Sequence, residues 1–290
     1  MTRRRKLEQH RHSLKEIRDI MNSMKTLAYM ETRKLTRFLD AQRAVVQSIE
    51  DVAADLLSFY PETLPEVKET KAVYLLLGSE RGFCGDFNHA LLRHLELVLQ
   101  DHDANNPILL AIGRKLSMLL EDDSRVTAFL DGAGVAEEAT NLLNQLVRTL
   151  TTLQEKHGVL SVYCLYHGGE DGIVMQRLLP PFHELMQRPP RYPHPPLLNL
   201  EPAEFLIELT EQYLFAALFE LLYTSLMAEN HNRVAHLEGA VKHLDDESSK
   251  LTRQSNAMRQ EEIIEEIEVI LLSATSLGER PEQIDQDKRP

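Results

Sequence analysis

The most constraining feature of this chain is the uneven distribution of glycine and proline, the two residues least compatible with a helix interior. Residues 1–60 contain neither. Of the 12 glycines and 13 prolines, all but four lie between Pro61 and Pro202. The distribution therefore predicts a helix over 1–60, a folded α/β domain over 61–202, a second helix over 203–277 and a polar tail over 278–290.

The first predicted helix carries apolar residues at seven-residue intervals. Gln42 is the one polar member of the first row of this heptad, and His10 and Glu31 interrupt the second row. A strict seven-residue repeat is typical of two helices that wind around each other in a left-handed supercoil, so the helix over 3–60 needs a partner helix. The first row comprises Leu7, Leu14, Met21, Ala28, Leu35, Ile49 and Leu56, and the second comprises Ile17, Met24, Phe38, Val45, Val52 and Phe59.

The second predicted helix has a matching seam. Its heptad continues to Met258, with Ser248 and Ser255 as polar members, and the apolar stripe then shifts by one residue. The shift lies at Arg259 and Gln260, where we expect the supercoil to change its winding. The most economical arrangement lays the two helices antiparallel against each other. The seam comprises Val234, Leu237, Val241, Leu244, Leu251 and Met258, and the shifted stripe comprises Ile263, Ile267, Ile270, Ala274 and Leu277.

Residues 61–202 alternate the patterns of strands and helices. The last two predicted strands flank a glycine-rich turn at 168–172, which favours a hairpin. The order βαβαβαββ predicts a mainly parallel sheet with helices on its faces, and the proline-rich stretch 189–202 predicts an extended connector. The predicted fold class is α+β, a long antiparallel two-helix coiled coil plus a central α/β domain. Predicted strands cover 72–77, 107–112, 125–130, 160–167 and 173–179, and predicted helices cover 87–100 and 137–157.

Charge and hydropathy exclude several classes of protein. The net charge is −13, yet residues 1–43 contain twelve Lys or Arg against five Asp or Glu. Because these basic residues are spread over a helix and leave its apolar stripe clear, we disfavour nucleic acid as a partner. The longest apolar runs are far shorter than the ~20 residues of a membrane span, so we expect no direct membrane insertion. Cys84 and Cys164 lie 80 positions apart, which favours buried free thiols in a reducing cytosol.

The loop Gly78–Asn88 is the most plausible ligand site in the sequence. It follows a predicted strand and precedes a predicted helix, which is where phosphate-binding loops occur. Its glycines, however, fall at relative positions one, five and eight, and it contains no lysine, so it matches neither a dinucleotide fingerprint nor a P-loop. Glu80 and Asp86 would also repel a phosphate. A structural turn is the favoured interpretation, and an α/β enzyme that binds a nucleotide here is the alternative.

Other candidate chemistry is weaker. No two histidines lie four residues apart, the spacing that suits a zinc ion on one helix face. The glutamates at 261, 262, 265, 266 and 268 alternate with the apolar stripe, which indicates an acidic surface rather than a catalytic pair. We therefore predict no catalytic residues, no metal site and no cofactor. A passive coiled-coil scaffold or chromosome-associated protein is a second alternative, which the basic N-terminal segment alone supports.

Three motifs resemble one known family. Residues 78–88 read Gly-Ser-Glu-Arg-Gly-Phe-Cys-Gly-Asp-Phe-Asn and match eight of eleven positions in the Gly-Ser-Asp-Arg-Gly-Leu-Cys-Gly-Gly-Phe-Asn motif of F-type ATP synthase gamma subunits. Residues 256–267 are similar to the family's Asn-x-x-Arg-Gln-x-x-Ile-Thr-x-Glu-Ile, and residues 225–233 to its Ser-Leu-x-Ser-Glu-Asn-x-x-Arg. The resemblance extends from about Lys6 to Leu277 and implies an antiparallel coiled coil with a central Rossmann-like α/β domain. The chain has Asp86 and Ser273 where the family has glycine, and Ile264 where the family has threonine. These departures favour a divergent branch.

The resemblance implies a mechanical function. The chain would be the non-catalytic central rotor shaft of a rotary ATP synthase, coupling ion translocation to ATP synthesis or hydrolysis. Its implied partners are the alpha and beta subunits of the catalytic hexamer, the epsilon subunit and the membrane c-ring, at the cytoplasmic face of a bacterial inner membrane. By resemblance, rotor–stator contacts fall on Met24, Lys25, Arg259, Gln260 and Glu266, and the family loop is formed by Gly78, Arg81, Gly82, Cys84, Gly85 and Asn88.

Overall fold

The computed structural model describes residues 3–64, 71–101, 107–169, 172–188 and 191–278. The chain divides into two compact units, one of Met1–Ser23 with Glu238–Pro290 and one of Met24–Leu237. The predicted tail lies outside the described residues apart from Gly278, as do parts of the predicted hairpin turn and proline-rich connector.

The elements follow the predicted order. In the described part of the chain the fourth predicted element, between the second and third strands, is a single helical turn. The elements are α1 (Arg3–Phe59), β1 (Lys71–Leu77), α2 (Phe87–Asp101), β2 (Ile108–Ile112), α3 (Arg114–Ser117), β3 (Val126–Leu130), α4 (Ala139–His157), β4 (Leu160–His167), β5 (Ile173–Leu179) and α5 (Pro202–Gly278). Short 3-10 turns occur at Pro61–Thr63, Ala136–Glu138 and His183–Gln187.

Proline and glycine set the limits of the long helices. The helix α1 ends just before Pro61, and α5 begins with Pro202 at its first helical position, where the missing N–H costs nothing. Gly239, inside α5, does not interrupt the helix. None of the helices in the described ranges holds a segment long and apolar enough to cross a membrane.

The five strands form one sheet in the order β3-β2-β1-β4-β5. All neighbouring strands are parallel except β4 and β5, which pair antiparallel, so the predicted parallel sheet with a terminal hairpin is confirmed. The central strands carry long apolar runs because both faces of the sheet are covered. One face packs under α4 and parts of α1 and α5, and α2 and α3 cover the other face.

Within the unit 24–237, α1 and α5 run antiparallel. Thr36 contacts Met227, and further along α1 the Gln42 side chain donates a 2.9 Å hydrogen bond to the Ala216 carbonyl. Gln42 is thus a polar member of the seam with a defined partner. The first predicted row is confirmed here, since Ala28, Leu35 and Leu56 are buried.

The second predicted row is wrong over this part of α1. Phe38, Val45 and Val52 are 41% to 48% exposed, and the buried row lies one residue further along. Steps of three and four residues place a side chain about 60° and 40° to either side of the first row, so both rows flank the same seam. Local periodicity does not distinguish them, and the positions of the sheet and α5 decide which is covered. The buried row comprises Thr32, Leu39, Val46 and Ala53.

The other unit contains the start of α1 and the end of α5. There Arg18 on α1 pairs with Asp245 on α5 at 3.2 Å. Val241 and Leu251 are buried there, which confirms the predicted seam. Counting from this pair in the antiparallel direction, the first residue of α1 lies opposite about position 260 of α5. Among the described residues nothing covers the predicted stripe beyond that point, where Ile263, Ile267 and Ile270 are 45%, 50% and 64% exposed.

Candidate functional site

The loop Gly78–Asn88 lies where an open α/β sheet usually binds a ligand. It leaves the carboxyl end of β1, and the sheet order reverses between β1 and β4. In folds of this kind the ligand crevice forms outside the carboxyl ends of the two strands at that reversal. The contacts of this loop therefore decide between a ligand site and a structural joint.

The ends of the loop are fixed by close approach and by one amide side chain. A Cβ atom on Gly78 would lie 2.3 Å from the Cβ of Leu116, so only glycine fits there. Asn88 accepts a hydrogen bond from the Ser79 backbone N–H and donates one to the Ser79 hydroxyl, both at 2.9 Å. Both ends are thus tied to the sheet and to α3.

The turn within the loop depends on two residues with positive φ. Phe83 has a φ of 65° and Gly85 a φ of 63°, in the left-handed region that side chains other than glycine rarely adopt. Asp86, the departure from the family motif, is not one of them. Its exposed carboxylate instead pairs with Arg93 on α2 at 2.5 Å, and this pair lowers the pKa of the carboxyl.

A carboxylate from α5 binds the middle of the loop. Glu229 accepts hydrogen bonds from the backbone N–H groups of Glu80 and Arg81, at 3.2 and 3.3 Å. Its side chain is only 3% exposed. Burial raises the pKa of the Glu229 carboxyl, and Arg233 and the two N–H groups oppose that rise. Because its hydrogen-bonding neighbours all act as donors, the geometry favours the ionised carboxylate.

Arg233, one helical turn further along α5, completes this contact. Its guanidinium pairs with Glu229 and donates to the Gly82 carbonyl at 3.1 Å and to the Asn230 side chain at 2.7 Å. A further N–H lies 3.3 Å from the sulfur of Cys84. The Arg233 side chain is 5% exposed, so its ion pair with Glu229 is buried. Its hydrogen bonds to Gly82 and Cys84 join this pair to the loop. We call the loop 78–88, Glu229 and Arg233 the junction.

Both cysteines are buried free thiols, as predicted. Burial raises the pKa of Cys84 to about 11, and burial likewise raises the pKa of Cys164. Thiols held in the neutral form are poor nucleophiles, so both act as small apolar side chains.

The neighbouring amide groups of this sheet edge are occupied by a second carboxylate. Glu80 accepts hydrogen bonds from the backbone N–H groups of Arg114, at the start of α3, and of Gly132, after β3, at 2.9 and 2.8 Å. Free backbone N–H groups of this kind can bind an anion. Here they donate to Glu80, so they are not open to a phosphate.

An aromatic pair fills the crevice between the ends of β1 and β4. Phe87 stacks on His167 with ring centroids 3.7 Å apart, and it also packs against Cys84 and against Ala228 of α5. Burial lowers the pKa of His167, so its ring is neutral at physiological pH. Side chains of the chain itself thus occupy the position expected for a nucleotide, which agrees with the structural turn favoured from the sequence.

The remaining predicted site residues lie in two groups. Met24 and Lys25 are half-buried on α1, in the unit 24–237, while Arg259, Gln260 and Glu266 are exposed on α5, in the unit that holds the helix ends. Arg81 is exposed, and its guanidinium lies against Gly134. No group of three or more His, Cys, Asp or Glu side chains in the described residues is placed to hold a metal ion.

Sequence reasoning missed the residues that hold the loop. Glu229 and Arg233 appear in a family-like motif, but nothing local in the sequence connects them with a loop about 150 positions earlier. One signal is present, because charged residues four apart in a mostly apolar helix stretch are expected to be paired when buried.

Comparisons with known proteins relate nearly the whole chain to one family. Residues 3–277 match the family model described as ATP synthase. Among curated proteins, the ATP synthase gamma chain of Parafrankia sp. is 27% identical and that of Caldanaerobacter subterraneus is 22% identical. The alignments cover 93% and 91% of this chain and 98% and 96% of those relatives.

Solved structures show the same fold. A chain of the Euglena gracilis mitochondrial ATP synthase, in a structure of OSCP, F1 and c-ring, matches with a TM-score of 0.61 and 13% identity over 99% of this chain and 98% of its own length. A chain of the Tetrahymena thermophila central stalk and c-ring matches with a TM-score of 0.54 and 18% identity, over 76% of this chain and 99% of its own.

Proposed function

The chain belongs to the ATP synthase family, and we propose that it acts there as the gamma chain, the central rotor shaft of an F-type enzyme. In this function it couples ion translocation through the membrane sector to ATP synthesis or hydrolysis in the alpha/beta hexamer. The chain contributes torque and contact surfaces, and the catalytic residues belong to other subunits.

The observation that carries the proposal is the exposed apolar end of α5. Beyond position 260 no residue of α1 lies opposite, yet Ile263, Ile267 and Ile270 continue an apolar stripe at 45% to 64% exposure. A continuous apolar stripe of this kind is typical of a surface that another protein covers. A ring of alpha and beta subunits around the helix end would cover it on every side.

The proposed contacts fall in both units. The start of α1 and the end of α5 turn within the alpha/beta hexamer, with Arg259, Gln260 and Glu266 facing the beta subunits, and Met24 and Lys25, in the unit 24–237, are further rotor–stator contacts. The α/β domain meets the c-ring and the epsilon subunit at the cytoplasmic face of a bacterial membrane. Solved neighbours from central-stalk and c-ring assemblies, together with bacterial relatives, support this arrangement.

The shift in the α5 stripe supplies the asymmetry that a rotor needs. Because α1 begins opposite about position 260, α5 continues beyond Arg259 as a single helix whose shifted stripe lies off the line of the seam. We infer that this makes the end eccentric. An eccentric end pushes each catalytic subunit in turn as it rotates.

The test is assembly and rotation. The chain is expressed with the alpha and beta subunits of the same organism, and the native complex is purified. Single-molecule rotation of this complex is then recorded during ATP hydrolysis. Arg259→Ala should lower torque or turnover, while Arg253→Ala, an exposed arginine on the same helix opposite the seam with α1, serves as the matched control. Unchanged torque in Arg259→Ala would refute the assigned contact.

Two further results would contradict the proposal as a whole. Absence of alpha and beta subunits from a native pulldown would rule out a rotor. Micromolar binding of ATP or NAD to the isolated chain, measured by titration calorimetry, would favour the nucleotide-binding enzyme instead.

A further inference from the structure

A second carboxylate joins the other long helix to the same edge of the sheet. Glu31 on α1 accepts a 2.7 Å hydrogen bond from the backbone N–H of Ala136, the first residue of the 3-10 turn before α4. No side chain caps that turn from the preceding residue. The Glu31 side chain is 14% exposed, and Lys34 pairs with both Glu31 and Glu137. In the sequence, Glu31 is recognisable only as a charged residue that interrupts a heptad row.

The two carboxylates lie at nearly the same level of the helix pair. Leu35 of α1, Leu226 of α5 and Ala136 form one buried cluster, and Thr36 contacts Met227. From that contact, Glu31 is five residues back along α1 and Glu229 is two residues forward along α5, in the same direction. At 1.5 Å per residue their levels differ by about 5 Å, within one helical turn.

Apolar packing and hydrogen bonds resist different motions. An apolar face resists separation but has no directional preference of its own, so a rotor held by such contacts alone could slip under load. A hydrogen bond weakens steeply when its angle changes, so it also resists rotation of a helix about its axis. With one bonded carboxylate on each helix, rotation of the pair against the sheet would strain both contacts.

We propose that Glu31 and Glu229 are positioning residues that lock the two shaft helices to the carboxyl edge of the sheet, so that the α/β domain and the shaft turn together. The inference rests on the proposed rotor function. Each carboxylate binds backbone N–H groups in a segment that follows a strand, Glu229 after β1 and Glu31 after β3.

The variants are chosen to remove the directional contacts and spare the folding core. Glu31→Met keeps most of the side-chain volume and removes both acceptor oxygens. Glu229→Asp keeps the ion-pair partner of Arg233 but shortens the reach to the amides of Glu80 and Arg81. Asp40→Leu on α1 and Glu211→Asp on α5, both exposed, are the matched controls.

The first measurement is hydrogen exchange of the isolated full chain. Each variant should speed exchange at its own amides, Ala136 for Glu31→Met and Glu80 with Arg81 for Glu229→Asp, by about tenfold or more. Exchange in β1 and β2 should not change, and both controls should match the unmodified chain. Unchanged exchange at these amides would overturn the joint whatever the assembled complex does.

The second measurement is made on the complete membrane-bound complex. The double variant should hydrolyse ATP at close to the unmodified rate but pump fewer ions per ATP, because the helix ends turn while the α/β domain lags. Equal proportional losses of hydrolysis and pumping, or no loss of pumping per ATP, would contradict the inference. If the unmodified chain does not assemble with alpha and beta subunits, the rotor function is wrong, whereas the exchange result still decides whether the joint exists.

Discussion

Removing Arg233 should be among the most destabilising single changes in the α/β unit. Arg233→Met keeps most of the side-chain volume and deletes the guanidinium, which is 5% exposed. The change leaves Glu229 as an ionised group that is 3% exposed, with two backbone N–H donors and no cation. Breaking a buried pair from one side costs about 3–5 kcal/mol, most of it from the charge left behind.

The matched control is Arg93→Met. Arg93 also pairs with a carboxylate, Asp86, but those two side chains are 65% and 61% exposed. Solvent screens such a pair, so its loss should change the free energy of unfolding far less. The two substitutions are chemically identical, but the Arg233 pair is buried and its guanidinium makes further hydrogen bonds, whereas the Arg93 pair is exposed.

Urea unfolding of the isolated chain measures both costs. Tyr74 and Tyr163 stack within the sheet, and the chain has no tryptophan, so tyrosine fluorescence reports unfolding of this unit. The double variant Arg233→Met with Glu229→Gln should recover part of the loss, because no uncompensated charge remains buried. An Arg233→Met cost no larger than that of Arg93→Met would refute the reasoning.

Three further predictions concern single sites. Gly113→Ala should cost about 1–3 kcal/mol in urea unfolding, because Gly113 has a φ of 104° and a Cβ there would lie 2.7 Å from the Gly78 carbonyl oxygen; a neutral result would contradict this. Hydrogen bonding to Arg125 lowers the pKa of Asp123, so its stabilisation is present above the ordinary carboxyl pKa of about 4 and is lost as pH falls through the lowered value. The difference in unfolding free energy between the unmodified chain and Asp123→Asn should therefore shrink from pH 6 to pH 2 (about the range of carboxyl titration), and a constant difference would count against it. Cys84, with a pKa of about 11, should react with iodoacetamide at pH 8 far more slowly than a free thiol until the chain is unfolded, and rapid native alkylation would exclude the buried position.

Much of the fold is predictable from short stretches of sequence. The helices and strands begin and end close to their predicted limits because glycine, proline and apolar periodicity act within a few residues. The parallel sheet follows from continuous apolar runs such as that of β1, which are buried on both faces. Family-like motifs then connect the loop and the end of α5 with one function, which the family match supports.

The candidate site was predictable only in part. The glycine spacing and the acidic residues of the loop argue against a phosphate site, and in the structure Glu80 and Glu229 accept hydrogen bonds from backbone amides in and beside the loop. The second heptad row was assigned one residue too early because Phe38, Val45 and Val52 are as apolar as the row that is buried. Composition along one helix does not reveal which flank of a seam faces its neighbours.

The sequence by itself determined the identity of the elements, the first row of the seam and the absence of a nucleotide fingerprint, because each depends on neighbours within one or two helical turns. The tertiary structure alone decided which flank of α1 is buried and which charges hold the loop. Glu80 and Glu229 are 149 positions apart, and Glu31 and Ala136 are 105 apart. Contacts at such separations leave no periodic trace in either segment, because each residue is placed by the folding of the chain between them.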